Sequence, residues 1–327
     1  MKAWVIKSSK FTEIDQLQLL EVARPQPHEK ELLVRVHDVG LNPVDYKLIE
    51  HQPGSWLYPH ILGLDVAGEV VEIGKQVDKF KKGDRVFYHG DLTESGGFAE
   101  FGTVKSDVVA KMPDKLTYPQ AAALLCSAMT AYQAIFRKAN LENRHTVLIH
   151  AGAGGVGGIA IQLAKIAGLR VFTTVSKQKK DFVAHQHPDA IIDYRTQNVT
   201  EQIQRLTNGL GVDLIINTIG AEAATQDLKR LAYNGALIAI DGQPNLTTDY
   251  AKLGLGVFSV NLGGAHQSHN TQQRHDLAVM ATQLGELVVK EKLDPLINQE
   301  ISYRDIPKGL QMIKDHKVTG KIVAKFM

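Results

Sequence analysis

Three glycines spaced as G-x-G-x-x-G, Gly152, Gly154 and Gly157, lie within the run His150-Ala151-Gly152-Ala153-Gly154-Gly155-Val156-Gly157. Alone the spacing is weak. Here it follows the apolar run Val147-Leu148-Ile149 and opens a helical stretch, Ile159 to Ala167, closed by Gly168, which is the context the pattern requires. Gly152 would permit a tight turn, Gly154 would let a pyrophosphate approach the backbone, and Gly157 would let helix and strand pack closely. The helix start offers unpaired amides to phosphate oxygens. Residues Gly152, Ala153, Gly154, Gly155, Val156 and Gly157 are therefore the expected dinucleotide-binding turn; a loop kept glycine-rich only for packing is the bland alternative.

The end of the next strand selects the dinucleotide. An Asp or Glu about 20 residues beyond the glycines holds free ribose hydroxyls. Here that stretch is Thr173-Thr174-Val175-Ser176-Lys177-Gln178-Lys179-Lys180, with no acid before Asp181. A carboxylate would repel a 2′-phosphate, whereas Ser176, Lys177 and Lys180 would attract one. A lysine run is more often a solvated face, but these lysines begin a predicted helix, where the dipole disfavours positive charge. The reading is NADPH (NADP+) in preference to NADH.

The elements that must position these groups fall into three styles. Up to about residue 115 the chain alternates in short strands, such as Leu32 to Val36, Ala67 to Ile73 and Arg85 to Tyr88, bounded by Gly, Pro or Asp turns. That texture predicts a compact β-barrel with little helix. From about 127 to 265, six apolar runs (starting at Val147, Val171, Ala190, Val212, Ala236 and Val257) alternate with helical segments. They predict a doubly wound parallel sheet. From about 271 come a long helix, a strand-like Gln299-Glu300-Ile301, a helix near Ile306 to Lys314 and a last strand at Gly320 to Lys325. This tail is expected to return to the first domain, giving 1–126 with 269–327 around an inserted 127–268.

Bulk numbers exclude several classes. Lysine plus arginine total 37 against 35 acids, a net charge of +2, so nothing points to a nucleic-acid or membrane partner. The 44% hydrophobic and 22% charged residues are ordinary for a globular protein. One cysteine, Cys126, rules out an intramolecular disulfide and four-thiolate zinc. The start, Met1 to Lys7, does not read as a secretory signal. Glycines and two cations make Val147 to Phe172 a poor membrane span. A cytoplasmic location is the default expectation.

At this point a resemblance enters. The pieces are Gly40-Leu41-Asn42-Pro43-Val44-Asp45-Tyr46, Gly63-Leu64-Asp65-Val66-Ala67-Gly68-Glu69-Val70 running on to Phe80, Gly83-Asp84-Arg85-Val86, Gly96-Gly97-Phe98-Ala99-Glu100 and Thr130-Ala131-Tyr132, in that order. With the glycine turn they resemble the medium-chain dehydrogenase/reductase superfamily over nearly the whole length, in its zinc-free, zeta-crystallin-like quinone oxidoreductase branch. The resemblance implies α/β architecture: a GroES-like β-barrel catalytic domain plus a Rossmann doubly wound parallel-sheet domain, with NADPH in the cleft between them. It also implies homodimers formed through the edge strand Val257 to Val260.

The same resemblance assigns residues. Catalytic zinc ligands of the zinc-dependent relatives map onto Asn42, Leu64 and Cys126, of which only Cys126 is able to bind a metal. A zinc site needs at least three protein ligands, so no metal is expected and Cys126 reads as a small buried hydrophobe. No His pair at metal spacing is seen beside a third ligand; His185 and His187 read as surface. Asn42, Asp45 and Tyr46 would line the cleft near the nicotinamide, with Asn42 and Tyr46 the catalytic candidates; a turn, a helix cap and a core tyrosine are their bland readings. Thr130 would pack against the nicotinamide and Tyr194 over the adenosine phosphate. Gly220, Gly242 and Gln243 would end strands at the ligand edge. Lys321 matches a position near the cofactor phosphate, although an exposed lysine is the simpler reading. Without a metal Lewis acid, the expected substrates are activated by their own conjugation: quinones, enals and enones. An enoyl reductase of a lipid or polyketide pathway, and a non-enzymatic NADPH-binding protein of the crystallin or RNA-binding kind, are the alternatives.

Overall fold

Alternating apolar and polar residues give short antiparallel strands over the first third of the chain. In the computed structural model, which describes residues 1–246 and 248–326, these are β1 (Lys2–Ile6), β2 (Gln18–Glu21), β3 (Glu31–Gly40), β4 (His60–Ile61), β5 (Asp65–Ile73), β6 (Arg85–His89), β7 (Phe101–Lys105) and β8 (Ala110–Lys111). Helix α1 (Pro43–Glu50) interrupts them; α2 (Tyr118–Leu124) and α3 (Cys126–Gln133) follow. The long strand β3 is the spine. It pairs with β5 and β7, and β6 and β8 extend the sheet beyond β5. Its register slips at Leu33/Val34 and again at Val36/Asp38, and such bulges bend a strand and re-aim its side chains.

The next stretch changes period. Strands β9 (Thr146–Ile149), β10 (Arg170–Val175), β11 (Ala190–Asp193), β12 (Val212–Asn217), β13 (Leu231–Ala239) and β14 (Gly256–Ser259) alternate with helices α4 (Gly155–Ile166), α5 (Lys180–Ala184), α6 (Val199–Leu206), α7 (Ala221–Asp227) and α8 (Thr248–Lys252). The sheet order is β11-β10-β9-β12-β13-β14, and every pair is parallel. This is the doubly wound sheet that the six apolar runs imply. Leu148, Phe172, Ile215 and Leu237 are fully buried in its core, as strands covered on both faces require. Helix α4 begins four residues before the expected Ile159, because Gly155, Val156, Gly157 and Gly158 form its first turn.

The chain then returns through α9 (Thr271–Val289), β15 (Ile297–Ser302), α10 (Ile306–Lys314) and β16 (Lys321–Lys325). β16 runs antiparallel to β3, with Ala324 opposite Val39, and parallel to β15. The first sheet thereby gains the order β15-β16-β3-β5-β6-β8. Two compact units result: Met1–Met129 with Gly263–Met327, and Thr130–Leu262 inserted between them. Among the described residues, no helix is long and apolar enough to cross a membrane.

Close approach of β3 and β5 needs Gly68, where an added Cβ would sit 2.1 Å from the Arg35 carbonyl oxygen. That oxygen belongs to the ladder and cannot swing away as a side chain would. Gly68→Ala is therefore expected to lower unfolding free energy by about 1–3 kcal/mol. A urea midpoint unchanged from the parent would refute the crowding.

Candidate functional site

Because the strands of the inserted unit are parallel, the residues after β9, β10, β11, β12 and β13 emerge on one edge of its sheet. The strand order reverses at β9, and ligands of such sheets bind at that reversal. The glycine turn stands there. An added Cβ would lie 2.3 Å from Thr173 Oγ1 at Gly152 and 2.3 Å from the Ala151 oxygen at Gly157. These two glycines serve packing. At Gly154, the N-cap of α4, the nearest atom would be 3.3 Å away. Apart from the Ala151 oxygen, nothing stands within 4 Å of the Gly154 Cβ position.

A buried polar brace holds the turn. His150 lies with Nδ1 3.0 Å from Thr174 Oγ1 and Nε2 2.9 Å from Asp227 Oδ1. Asp227 also accepts from Arg230 at 2.6 Å and from Asn217 Nδ2 at 2.7 Å. Burial opposes ionisation of Asp227, yet His150, Asn217 and Arg230 together hold its carboxyl below the usual range. The Gly152 amide donates to the Thr174 carbonyl at 3.1 Å. Sequence reasoning missed this brace, since His150 and Asp227 stand 77 residues apart with no local pattern joining them.

Beside the turn, Ser176 is buried and caps the short 3-10 turn Lys177–Lys179, with Lys177 and Lys180 exposed. Lys179 is held below the ordinary lysine range by burial and by the charge of Arg195. Arg195, which follows Tyr194, is thus a fourth cation of this corner that the sequence reading passed over. Tyr194 is half exposed and follows β11. Gly220 caps α7 with φ 109° and open space around its Cβ position. An added Cβ at Gly242 would touch the Ala221 amide nitrogen at 2.7 Å, and Gln243 beside it is exposed.

The antiparallel unit carries the other candidates. Asn42 caps α1, and its amide N–H donates to Asp45 Oδ2 at 2.8 Å. Its side-chain amide donates to Asp65 Oδ2 at 2.9 Å, and its oxygen accepts from Lys321 Nζ at 2.6 Å. Lys321 also donates to the Leu41 carbonyl at 3.1 Å and faces Asp65 Oδ2 at 3.4 Å. The simpler reading of Lys321 as an exposed lysine does not hold. It is 3% exposed, because its ammonium sits between a carboxylate and two amide oxygens instead of in solvent. Tyr46, next on α1, is half-buried. Thr130, on α3 and the first residue of the inserted unit, is buried.

Cys126 is half-buried as a residue, with its thiol desolvated, and its amide donates to Asp65 Oδ1 at 2.9 Å. Ligand-type atoms of Asp65, His89 and Cys126 lie within 4.8 Å of one another, a grouping the sequence reading did not foresee. His89 Nδ1 in turn lies 3.4 Å from His266 Nε2. Burial, with the charges of His266 and Lys321, pushes His89 down to about 3.

Burial and the neighbouring Asp65 push Asp45 up to about 8, and its Oδ1 has no hydrogen-bond partner. A carboxyl whose folded pKa lies above its unfolded one favours folding at low pH and loses that contribution as pH rises toward the folded value. The parent should therefore lose more stability than Asp45→Asn between about pH 5 and about pH 8. Urea titrations at both ends of that range check this; parallel losses would show that Asp45 titrates normally.

Comparison with known proteins follows the same division. Residues 28–114 match the family model for the alcohol dehydrogenase GroES-like domain, and residues 155–268 match the zinc-binding dehydrogenase model. A quinone oxidoreductase-like protein 2 homolog of Nematostella vectensis is 33% identical over 300 residues, covering 90% of this chain and 81% of that protein. The quinone oxidoreductase structure from Coxiella burnetii superposes with a TM-score of 0.83 at 29% identity, over 100% of this chain and 99% of that one. A mycobacterial protein solved in complex with NADPH superposes with a TM-score of 0.88 at 26% identity, over 99% of this chain and 100% of that one. With a GroES-like unit and an inserted Rossmann-type sheet, the chain belongs to the quinone oxidoreductase branch of the medium-chain dehydrogenase/reductase superfamily.

Proposed function

We propose that this oxidoreductase is NADPH-dependent and zinc-independent, and that it reduces a quinone or an α,β-unsaturated carbonyl compound. One observation carries the reading: the end of β10 presents Ser176, Lys177 and Lys180, with Arg195 near Lys179, and no carboxylate before Asp181. NADPH, when bound, supplies the hydride. The clear space at Gly154 and the α4 amides of Gly155, Val156 and Gly157 suit a pyrophosphate. The cationic corner suits a 2′-phosphate. The complex of the mycobacterial relative with NADPH supports the same assignment.

The donor set argues against a zinc centre. Asn42 and Leu64 are not zinc ligands. The grouping of Asp65, His89 and Cys126 is already committed: one Asp65 oxygen accepts the Cys126 amide, and the other accepts Asn42 and faces the Lys321 ammonium. Desolvation, with the Asp65 charge, pushes the Cys126 thiol up, whereas zinc binds thiolate. A substrate must therefore bring its own activation. Quinones and enones do, and the enolate or hydroquinone oxygen then needs only a proton, from Tyr46 or from water. In the same reading the chain forms a homodimer through the edge strand β14, where Phe258 is 41% exposed.

Two outcomes follow. Lys177→Ala with Lys180→Ala, and separately Arg195→Ala, should weaken NADPH by about 10- to 150-fold, the size of a lost charge-assisted hydrogen bond, and leave NADH nearly unchanged. Equal losses for both cofactors, or a parent that prefers NADH, would sink the phosphate corner. The functional assignment is tested by following NADPH oxidation with 1,4-quinones, short enals and simple ketones, with and without chelator. Quinone or enal reduction that survives chelation is expected. Chelator-sensitive ethanol oxidation with no quinone or enal turnover would overturn the assignment.

A further inference from the structure

Two main-chain amides at the carboxyl edge of the inserted sheet lead to the same buried carboxylate. The first belongs to Ala151, in the β9–α4 turn, and donates to Thr174 Oγ1 at 3.3 Å. The Thr174 hydroxyl meets His150 Nδ1 at 3.0 Å, and His150 Nε2 meets Asp227 Oδ1 at 2.9 Å. A carboxylate can only accept, so Nε2 carries the hydrogen of that last bond. The second amide belongs to Ile219, in the β12–α7 loop, and donates to Asn217 Oδ1 at 3.0 Å. Asn217 Nδ2 then donates to Asp227 Oδ2 at 2.7 Å. Each loop is thus joined to a different oxygen of Asp227.

Both loops need such a hold. Ala151 has φ 53°, a left-handed conformation that strains any residue with a side chain. Strain of this kind persists only where the surroundings over-determine it. Ala151 also accepts the Gly154 amide at 2.9 Å, so the way Ala151 is held decides where Gly154 and the start of α4 lie. In the other loop, Gly220 follows Ile219 with φ 109° and nothing within 4 Å of its Cβ position. No packing restrains the loop at that point, and the Ile219 amide ties it down one residue earlier. The Ile219 side chain itself is half exposed on this edge.

The residues that do the holding are not on the edge. Thr174, His150, Asn217 and Asp227 are all buried, and Arg230 fixes Asp227 from behind, with Nε donating to Thr200 Oγ1 of α6 at 3.0 Å. They act on a ligand only through the loops. Packing alone does not call for a carboxylate here, because a buried charge is costly to desolvate where an apolar side chain of similar size would fill the space. What the carboxylate adds is direction: two oxygens that accept from two separate loops.

We propose that Asp227 is a positioning residue for the dinucleotide. Through His150 and Thr174 it sets the β9–α4 turn, and through Asn217 it sets the β12–α7 loop. Both loops then meet the part of the cofactor that NADH and NADPH share. The proposal rests on the cofactor reading above and deepens it: this contribution to affinity is separate from that of Ser176, Lys177, Lys180 and Arg195, which concerns the 2′-phosphate alone.

Calorimetric titration of the full chain with NADP+ and with NAD+ tests it. Asp227→Asn replaces an acceptor oxygen by a donor amide and sets it against at least one of the donors His150, Asn217 and Arg230. It should weaken both dinucleotides by the same factor, about tenfold or more. Thr174→Val keeps the shape of the side chain and removes its bonds to Ala151 and His150. It should weaken both by about five- to tenfold, and it decides alone should Asp227→Asn not fold. Asp227→Asn combined with Asn217→Asp lets amide and carboxylate trade places across their 2.7 Å contact, while Ile219 and His150 each keep an acceptor. This exchange should recover most of the affinity that Asp227→Asn loses. A parent that binds neither dinucleotide would overturn the cofactor reading and this role with it. With a parent that binds, three results would overturn the positioning role and leave the cofactor reading standing: undiminished affinity in the variants, a loss confined to NADP+, or an exchange variant as weak as Asp227→Asn.

Discussion

The candidate nucleotide edge depends on one close approach, that of the β9–α4 turn to its neighbours at Gly152 and Gly157. At both positions a single methyl group would intrude to 2.3 Å on Thr173 Oγ1 or on the Ala151 oxygen. With those contacts closed, α4 begins at Gly155 with its amides uncovered, and Gly154 leaves the space before them clear. The brace of His150, Asp227, Asn217 and Arg230 ties the same turn to the ends of β12 and α7. A buried network of this kind is rigid only when every member is paired, and here each of the four has a partner within 2.9 Å.

The antiparallel unit meets a different constraint. Two fully buried carboxyl groups, Asp45 and Asp65, share their surroundings with one buried ammonium, Lys321, and the raised value of Asp45 leaves Asp65 to face that ammonium as the charged partner. Burying charge is costly unless it is paired and hydrogen-bonded. Asn42 reduces that cost by bonding Asp45, Asp65 and Lys321 at once. The side chain that reads as a simple helix cap therefore also links the start of α1 to β5 and β16. The same arrangement leaves Asp65 little capacity for a metal ion, although His89 and Cys126 stand close by.

What was legible in the sequence was local and periodic. The six parallel strands, the return of the tail to the first sheet and the glycine turn all declare themselves through spacing of apolar residues and glycines. The start of α4 was misplaced because glycines lower helix propensity, yet Gly157 is helical for the sake of its contact with Ala151. Lys321 read as exposed because nothing in Gly320-Lys321-Ile322 reveals Asp65, 256 residues away. The grouping of Asp65, His89 and Cys126 was invisible for the same reason. Arg195 was missed because it approaches Lys179 only once β11 lies beside β10.

The central claim is that the carboxyl edge of the inserted sheet holds the 2′-phosphate of NADPH. The most direct measurement is phosphorus NMR of NADP+ bound to the chain, following the 2′-phosphate resonance with pH. A phosphate monoester loses its second proton near pH about 6, and neighbouring cations lower that value. The bound resonance should stay at its dianion position as the pH falls to about 5. A bound 2′-phosphate that titrates as it does in free NADP+ would contradict the assignment.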